Sequence, residues 1–530
     1  MDPPLKTRTC RNLLVRILLF GVVALALRFA YVVVVLGGAG CGAGDFCLFS
    51  SPEEESLSIS GSGATSTART AAFVRVHDGG VTTTASPSLR ALWTSREWRR
   101  SVEYYSSVFN RLRSDGYLSP SSHSLCVDTP VGYEVLALKE IGVSDAIGVA
   151  KKKSLPLVRQ GNPFNLPFSE GEFDFVFAGR ALDRSKRPAD LAAEIARVVK
   201  PKGFVIIHTT SAQDLYSLTS LQVLFPGHDL IKPRKIKGPD SSITLREIVI
   251  QKIQLELDNS NILSLQEKDS ENLDSSSDGI SVNNCSNQQQ KMQIIKSAEP
   301  LIEEEPLKPW ITLKRNAKNI KYLPSLADIS FKRRYVYIDV GARSYGSSIG
   351  SWFRKQYPKQ NHTFEIYAIE ADHSFYDEYK SKKGITLLPY AAWVRNETLS
   401  FEINRDHDQK EDEKGGGGMG RIRPASGSTH SEVRTINGFD FANWVKQSFS
   451  EKDYVVMKMD VEGTEFDLIP RLFETGAICL IDELFLECHY NRWQRCCKGV
   501  RSPKYKNTYG QCLDLFQSLR QRGVLVHQWW

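Results

Sequence analysis

Tyr337-Ile338-Asp339-Val340-Gly341-Ala342 is an apolar run that stops at Asp-x-Gly, and Glu370 closes a second apolar run, 366–370, thirty-one residues after Asp339. Ligands of open α/β sheets bind beyond the carboxyl ends of the strands. There a glycine lets the backbone come close to a ligand, and an acidic side chain can accept both hydroxyls of a ribose. The two runs together point to an adenosine-containing cofactor and by themselves fit a dinucleotide-binding fold equally well. A third run, Met457-Lys458-Met459-Asp460-Val461-Glu462-Gly463, brings two carboxylates and a glycine to what reads as another strand end. The plainer use of these residues is structural, with Glu462 complementing a helix dipole and Asp460 closing a turn.

Around these runs, apolar strand-like segments alternate with amphipathic helical ones, the mark of βαβ units and a parallel sheet. Strands are expected at Tyr335–Val340, 366–370, a pair near 390–404, 454–460, 478–489 and 524–530. Earlier in the chain, Ser124–Val127, 173–178 and 204–208 alternate with helical patterns at Tyr133–Glu140 and 189–199. The expected fold class is α/β, with two doubly wound, Rossmann-like domains at 92–257 and 301–530. Residues 258–300, with SSSD and NNCSNQQQ, read as a disordered linker. The glycine run 415–418 lies in a charged insert, 405–431, and lacks the Gly-Lys-Ser/Thr and helix of a phosphate-binding loop, so it reads as a loop.

A chain of 530 residues is too long for one hydrophobic core. Its 41% hydrophobic and 10% aromatic content excludes wholesale disorder. The net charge of +7 comes from 68 basic and 61 acidic side chains, and residues 1–40 hold five bases against one acid. What remains is nearly balanced. Lys151 to Lys153 and Arg333 to Arg334 are too short as clusters for a nucleic-acid-binding face, so no nucleic-acid partner is expected.

Residues 17–36 are twenty long with Arg28 as their one charge, enough to cross a bilayer as a helix. A central Arg costs about 2.5 to 3.5 kcal/mol, against about 0.3 to 0.6 kcal/mol returned by each Leu, Ile, Val or Phe. Bases precede the span and acids follow it. This reads as a single-pass type II signal anchor, with 1–16 a cytosolic basic tail and 37–91 a flexible stalk, so a membrane is an expected partner. A cleaved signal peptide or a transit peptide is the other reading. Asn284, Asn361 and Asn396 begin glycosylation tripeptides, and Cys479, Cys488, Cys496, Cys497 and Cys512 crowd the C-terminus. Without a paired C-x-x-C, disulfides in an oxidising lumen are favoured over zinc.

The motifs YIDVGA, YAIEADHSFYDEY, LLPYAAWVRNETLSF, VRTINGFDF, VMKMDVEGTEFDLI and ELFLECHY, in that order, resemble the FkbM family of S-adenosylmethionine-dependent methyltransferases over about residues 333–530. The resemblance implies a class I fold with S-adenosyl-L-methionine as cofactor. Asp339, Gly341 and Ala342 would lie against it, Glu370 would hold its ribose, and Asp460 and Glu462 would face the reaction centre. His489, Asp460 or Glu487 is then the candidate base for an acceptor hydroxyl. Methyl transfer from a sulfonium needs alignment and no acid for the leaving group, so no metal is expected. A metal at Asp460, Glu487 and His489 is the alternative use. The family's D-V-G-A-N-x-G has Arg343 at the Asn position and Tyr345 at the last glycine, where a left-handed backbone would be costly.

Residues 122–210, through LPFSEGEFDFVFAGRAL and ARVVKPKGFVIIHT, resemble the small-molecule class I methyltransferases. Asp128-Thr129-Pro130-Val131-Gly132 lacks their paired glycines, and Ala150-Lys151 stands where the ribose-binding acid belongs. This domain is expected to be degenerate. The expected function is a membrane-anchored, Golgi or endomembrane O-methyltransferase acting on a glycan or small-molecule acceptor. The competing reading is a catalytically inactive methyltransferase-fold scaffold of the endomembrane system.

Overall fold

In the computed structural model, residues 92–240, 242–254, 285, 288–404, 419–423, 432–494, 497 and 499–529 are described, all within one compact unit, Val76–Trp530. The expected tail, anchor and stalk lie outside these residues. Among the described residues no helix is long and apolar enough to cross a membrane.

The first lobe is a seven-stranded sheet of β1 (Ser124–Val127), β2 (Ala146–Ala150), β3 (Val158–Gln160), β4 (Phe173–Gly179), β5 (Val199–Thr209), β6 (His228–Lys237) and β7 (Thr244–Lys252), in the order β3-β2-β1-β4-β5-β7-β6. The first five strands are parallel, and β7 runs antiparallel to both β5 and β6. In β4, Phe173, Val176 and Ala178 enter one core cluster while Phe175 and Phe177 enter the other. Burial on both faces is why the strand reads as an almost unbroken apolar run. Helix Arg96–Ser114, capped by Ser95 accepting from the Trp98 amide, covers one face with Trp98, Val102, Tyr105, Phe109 and Leu112. Their three- and four-residue spacing forms a single stripe.

The second lobe has six parallel strands, β8 (Tyr335–Val340), β9 (Glu365–Ile369), β10 (Ile385–Leu388), β15 (Tyr454–Met459), β16 (Glu483–Leu486) and β17 (Leu525–Gln528), ordered β10-β9-β8-β15-β16-β17. A separate mixed sheet holds β11 (Ala391–Trp393), β12 (Glu397–Asn404), β13 (Met419–Arg423) and β14 (Glu432–Asp440), ordered β11-β14-β12-β13. Val455, Met457 and Met459 of β15 pack on one face, Tyr454 and Val456 on the other. Each such side chain taken out of water contributes about 1.5 to 3 kcal/mol.

The lobes meet around buried Asp482, which accepts from Tyr216 of the first lobe at 3.0 Å and pairs with Lys291 at 3.2 Å and Lys332 at 3.5 Å. Phe331 packs into the first lobe's core.

Several expectations change. Helix Gln288–Ile295 lies inside the expected linker 258–300, Lys291 on it is buried, and Cys285 is joined to Cys479. The second lobe thus begins before residue 301. The strand expected at 478–489 is a turn, Ala477–Leu480, followed by β16. The pair expected near 390–404 does not pair with itself, because β14 lies between β11 and β12. β13 pairs with β12 inside the expected loop 405–431, whose glycine run is outside the described residues.

Candidate functional site

In chain order β8 is followed by β9 and β10 on one side and by β15 on the other, so the strand order reverses between β8 and β15. Open α/β sheets bind ligands in the crevice beside such a reversal. A cavity of about 310 Å³ opens there, walled by Gly341, Arg343, Glu370, Asp372, Phe375, Tyr390, Asp460, Glu462 and Glu487. Phe401 and Ile422 of the small sheet close another part of the wall.

At one end, the Glu370 carboxylate accepts from the Arg343 amide at 2.6 Å and the Asp372 amide at 2.7 Å. Two carboxylate oxygens offer about four lone-pair sites, so both remain able to accept further donors. Burial pushes this carboxyl up to about 7. The Gly341 and Ala342 amides both donate to the Ile369 carbonyl at 3.0 Å, tying the β8 and β9 ends together.

Glycine at 341 serves a neighbour more than a ligand. Its φ is +77°, and a Cβ there would stand 1.8 Å from the Asp460 carbonyl oxygen. The left-handed non-glycine position in this loop is Arg343, at φ 51°, and not Tyr345. Tyr345 lays its ring across Gly350, where a Cβ would meet the ring at 2.4 Å, and Arg354 and Lys382 sit over its face.

Asp339 and Ala342 are fully buried and do not line the cavity. Asp339 accepts from Ser348 and pairs with Lys458 at 3.6 Å. Lys458 also reaches Asp460 at 3.4 Å. Burial opposes the charge on Lys458, but Asp339 and Asp460 more than offset it and raise the ammonium's pKa.

At the other end, the ends of β15 and β16 bring Asp460, Glu462, Glu487 and His489 together. His489 Nε2 faces Asp460 at 3.6 Å and Glu462 and Glu487 at 3.9 Å each. Its Nδ1 hydrogen-bonds Glu465 at 3.3 Å, and Glu465 also accepts the His489 amide at 2.6 Å. Burial alone would discharge the imidazole, but Glu465 and the other carboxylates raise it to about 10. A ring protonated at neutral pH has no lone pair with which to act as a base. Glu487, pushed up to about 7 by burial and then by Asp460, suits that role better. Glu462, at φ 53°, accepts from Lys504 at 2.7 Å and from the Tyr505 hydroxyl, and these with His489 overcome burial and lower its pKa. Asp460, Glu462 and His489 place one ligand atom each within 4.8 Å of one another.

Of the expected residues, the structure places Gly341, Glu370, Asp460 and Glu462 on one cavity. His489 lies just behind Glu487 on a smaller cavity of about 70 Å³ beside Trp310, Tyr490, Tyr505 and Trp529. Glu487 borders both cavities. Sequence reasoning missed Lys458, although it stands inside KMDVEG, and Lys504 and Tyr505, which no local pattern marks.

Two family models match the chain. Residues 140–207 match a methyltransferase domain. This supports an S-adenosylmethionine-dependent methyltransferase fold with S-adenosylmethionine as cofactor. Residues 295–402 and 421–530 match a domain of unknown function, DUF7870. No curated protein matches. Solved structures that are similar include the [4+2]-cyclase SpnF, at 13% identity over 28% of this chain and 80% of that one, with a TM-score of 0.24. A putative methyltransferase in complex with the Trm112 activator from Haloferax volcanii matches at 15% identity over 32% and 97%, with a TM-score of 0.26. An S-adenosylmethionine-dependent methyltransferase from Methanosarcina mazei matches at 15% identity over 27% and 97%, with a TM-score of 0.22.

In the first lobe the corresponding strand end carries an ion pair. Arg184 donates to the Asp128 carboxylate at 2.8 and 3.0 Å and to its carbonyl at 3.0 Å, while Thr129 donates to buried Glu134. Ala150 and Lys151 follow at the end of β2.

Proposed function

We propose that the second lobe is the working site of an FkbM-like O-methyltransferase, that residues 17–36 anchor it in a Golgi or other endomembrane with the folded part in the lumen, and that its acceptor is a glycan hydroxyl. The carrying observation is one cavity with Glu370 at one end and Asp460 and Glu487 at the other.

The bound cofactor supplies an electrophilic methyl carbon on a positively charged sulfur. The residues that line the cavity fit it: Glu370 would accept the ribose hydroxyls, Phe375 and Tyr390 would supply aromatic surface, and Asp460 would face the reacting end. Glu487 would take the acceptor's proton, so the residues would align groups and move one proton. The first lobe, which lacks the paired glycines at 128–132 and has Ala150-Lys151 where a ribose-binding acid belongs, is read as non-catalytic. Two disulfides, Cys285–Cys479 and Cys488–Cys512, suit an oxidising compartment, and Asn361 and Asn396 are exposed as glycan attachment requires.

The test is calorimetric titration of S-adenosylmethionine into the full-length protein in detergent, beside Glu370→Gln. Micromolar binding that the variant loses supports the reading, and absence of binding by folded wild type overturns it. Removal of N-glycans from Asn361 and Asn396 should shift the mobility of the expressed protein. Unchanged mobility would sink the lumenal placement.

A further inference from the structure

Between the two cavities of the second lobe lies a side-chain cluster of which methyl transfer, as described, uses only Asp460. Asp460 and Glu462 reach it from the end of β15, and His489 from beyond β16. Its centre is an imidazole ring: His489 is 9% exposed, and its Nε2 faces carboxylate oxygens at 3.6, 3.9 and 3.9 Å. Those separations are too long for hydrogen bonds. They are close to the spacing of ligands around an ion, since bonds of about 2.1 Å at tetrahedral angles set ligand atoms about 3.4 Å apart.

The other ring nitrogen is already committed. Nδ1 lies 3.3 Å from Glu465, whose second oxygen holds the Gly463 amide at 2.9 Å. A carboxylate on one imidazole nitrogen is the usual arrangement behind a metal-bound histidine, because it fixes the tautomer and aims the other nitrogen at the ion. Carboxylates also outnumber cations here. Asp339 and Asp460 pair with Lys458, Glu462 with Lys504, and Glu465 and Glu487 face the His489 ring, so five carboxylates meet three basic groups.

We propose that Asp460, Glu462 and His489 bind a divalent transition-metal ion, with a fourth position open toward the junction of the two cavities. Three protein ligands and one open position is the pattern of metal sites that engage a substrate. An imidazole with two carboxylates suits Zn²⁺ or Mn²⁺. The ion replaces the proton on Nε2, and Glu487 stays outside the ligand set, beside the open position. Resting on the methyltransferase reading, its use is to bind the acceptor hydroxyl and ease loss of its proton to Glu487. The ion itself is neither oxidised nor reduced.

The test uses the full-length protein in detergent after chelator treatment and dialysis, titrated by calorimetry with ZnCl2 and separately with MnCl2, the latter also followed by the loss of the free Mn²⁺ paramagnetic resonance signal. One ion should bind per chain, and Asp460→Asn, at a partly exposed position, should weaken binding at least tenfold. His489→Gln is the second variant, with circular dichroism confirming its fold. Glu370→Gln should leave ion binding unchanged. No saturable binding of either ion by folded wild type, or binding unaltered in both Asp460→Asn and His489→Gln, would overturn the site. S-adenosylmethionine is titrated into the same samples with chelator present. Ion binding without cofactor binding sinks the methyltransferase reading alone, and the reverse sinks the ion site alone.

Discussion

Lys458 Nζ lies 3.6 Å from Asp339 Oδ1, and the two residues are direct register partners on parallel strands β15 and β8. They form a buried pair whose lysine also reaches Asp460 at 3.4 Å, on the sheet face that also carries the buried Glu483–His527 pair. Through Asp460, which lines the cavity, the pair is tied to the site's wall.

Removing one member of a buried pair leaves an uncompensated charge and costs about 3 to 5 kcal/mol. Lys458→Met is therefore expected to lower the urea midpoint sharply, and adding Asp339→Asn should recover part of the loss. An unchanged midpoint in the single variant would show that the pair is not needed.

Glu370 gives a pH dependence with a definite sign. Its carboxyl is held near 7 by burial, so the ionised form that accepts ribose hydroxyls dominates only above that pH. Cofactor affinity should fall as pH drops from 8 to 6, and Glu370→Gln should be weaker by about 10- to 100-fold, from loss of about 1.5 to 3 kcal/mol, and flat with pH. Because the folded state keeps this proton to higher pH than the unfolded state, Glu370 removes stability as pH rises from the ordinary carboxylate range to about 7. The Gln variant should thus melt higher than wild type at pH 8.

Gly341→Ala tests the approach of the two strand-end loops. A methyl at 1.8 Å from a backbone oxygen cannot be relieved by a rotamer change, and the left-handed backbone adds about 1 to 2 kcal/mol. The melting temperature should drop by several degrees, while Gly346→Ala, whose nearest neighbour would be Ser344 at 3.9 Å, should be nearly silent.

The Cys285–Cys479 disulfide closes a separation of 194 residues and holds the start of helix Gln288–Ile295 against the second lobe. Replacing both cysteines by alanine is expected to cost about 2 to 4 kcal/mol in chemical denaturation. It should also speed proteolysis near the helix, as read by mass spectrometry of limited digests.

Strands β8, β9 and β15 and the acids at their ends were readable because each is a run of five or six residues whose burial leaves a largely apolar string stopped by Asp, Glu or Gly. Such a signal is local, so Glu370, Asp460 and Glu462 could be named without knowing what lies beside them. Folding decided the rest, since it depends on strand register and loop closure. Register sets Lys458 against Asp339 and turns an expected ligand contact into a buried support. Chain return brings Lys504 and Tyr505 to Glu462 across more than forty residues and Glu465 to His489 across twenty-four. That last contact, invisible in the linear order, takes the imidazole from candidate base to fixed cation or metal ligand.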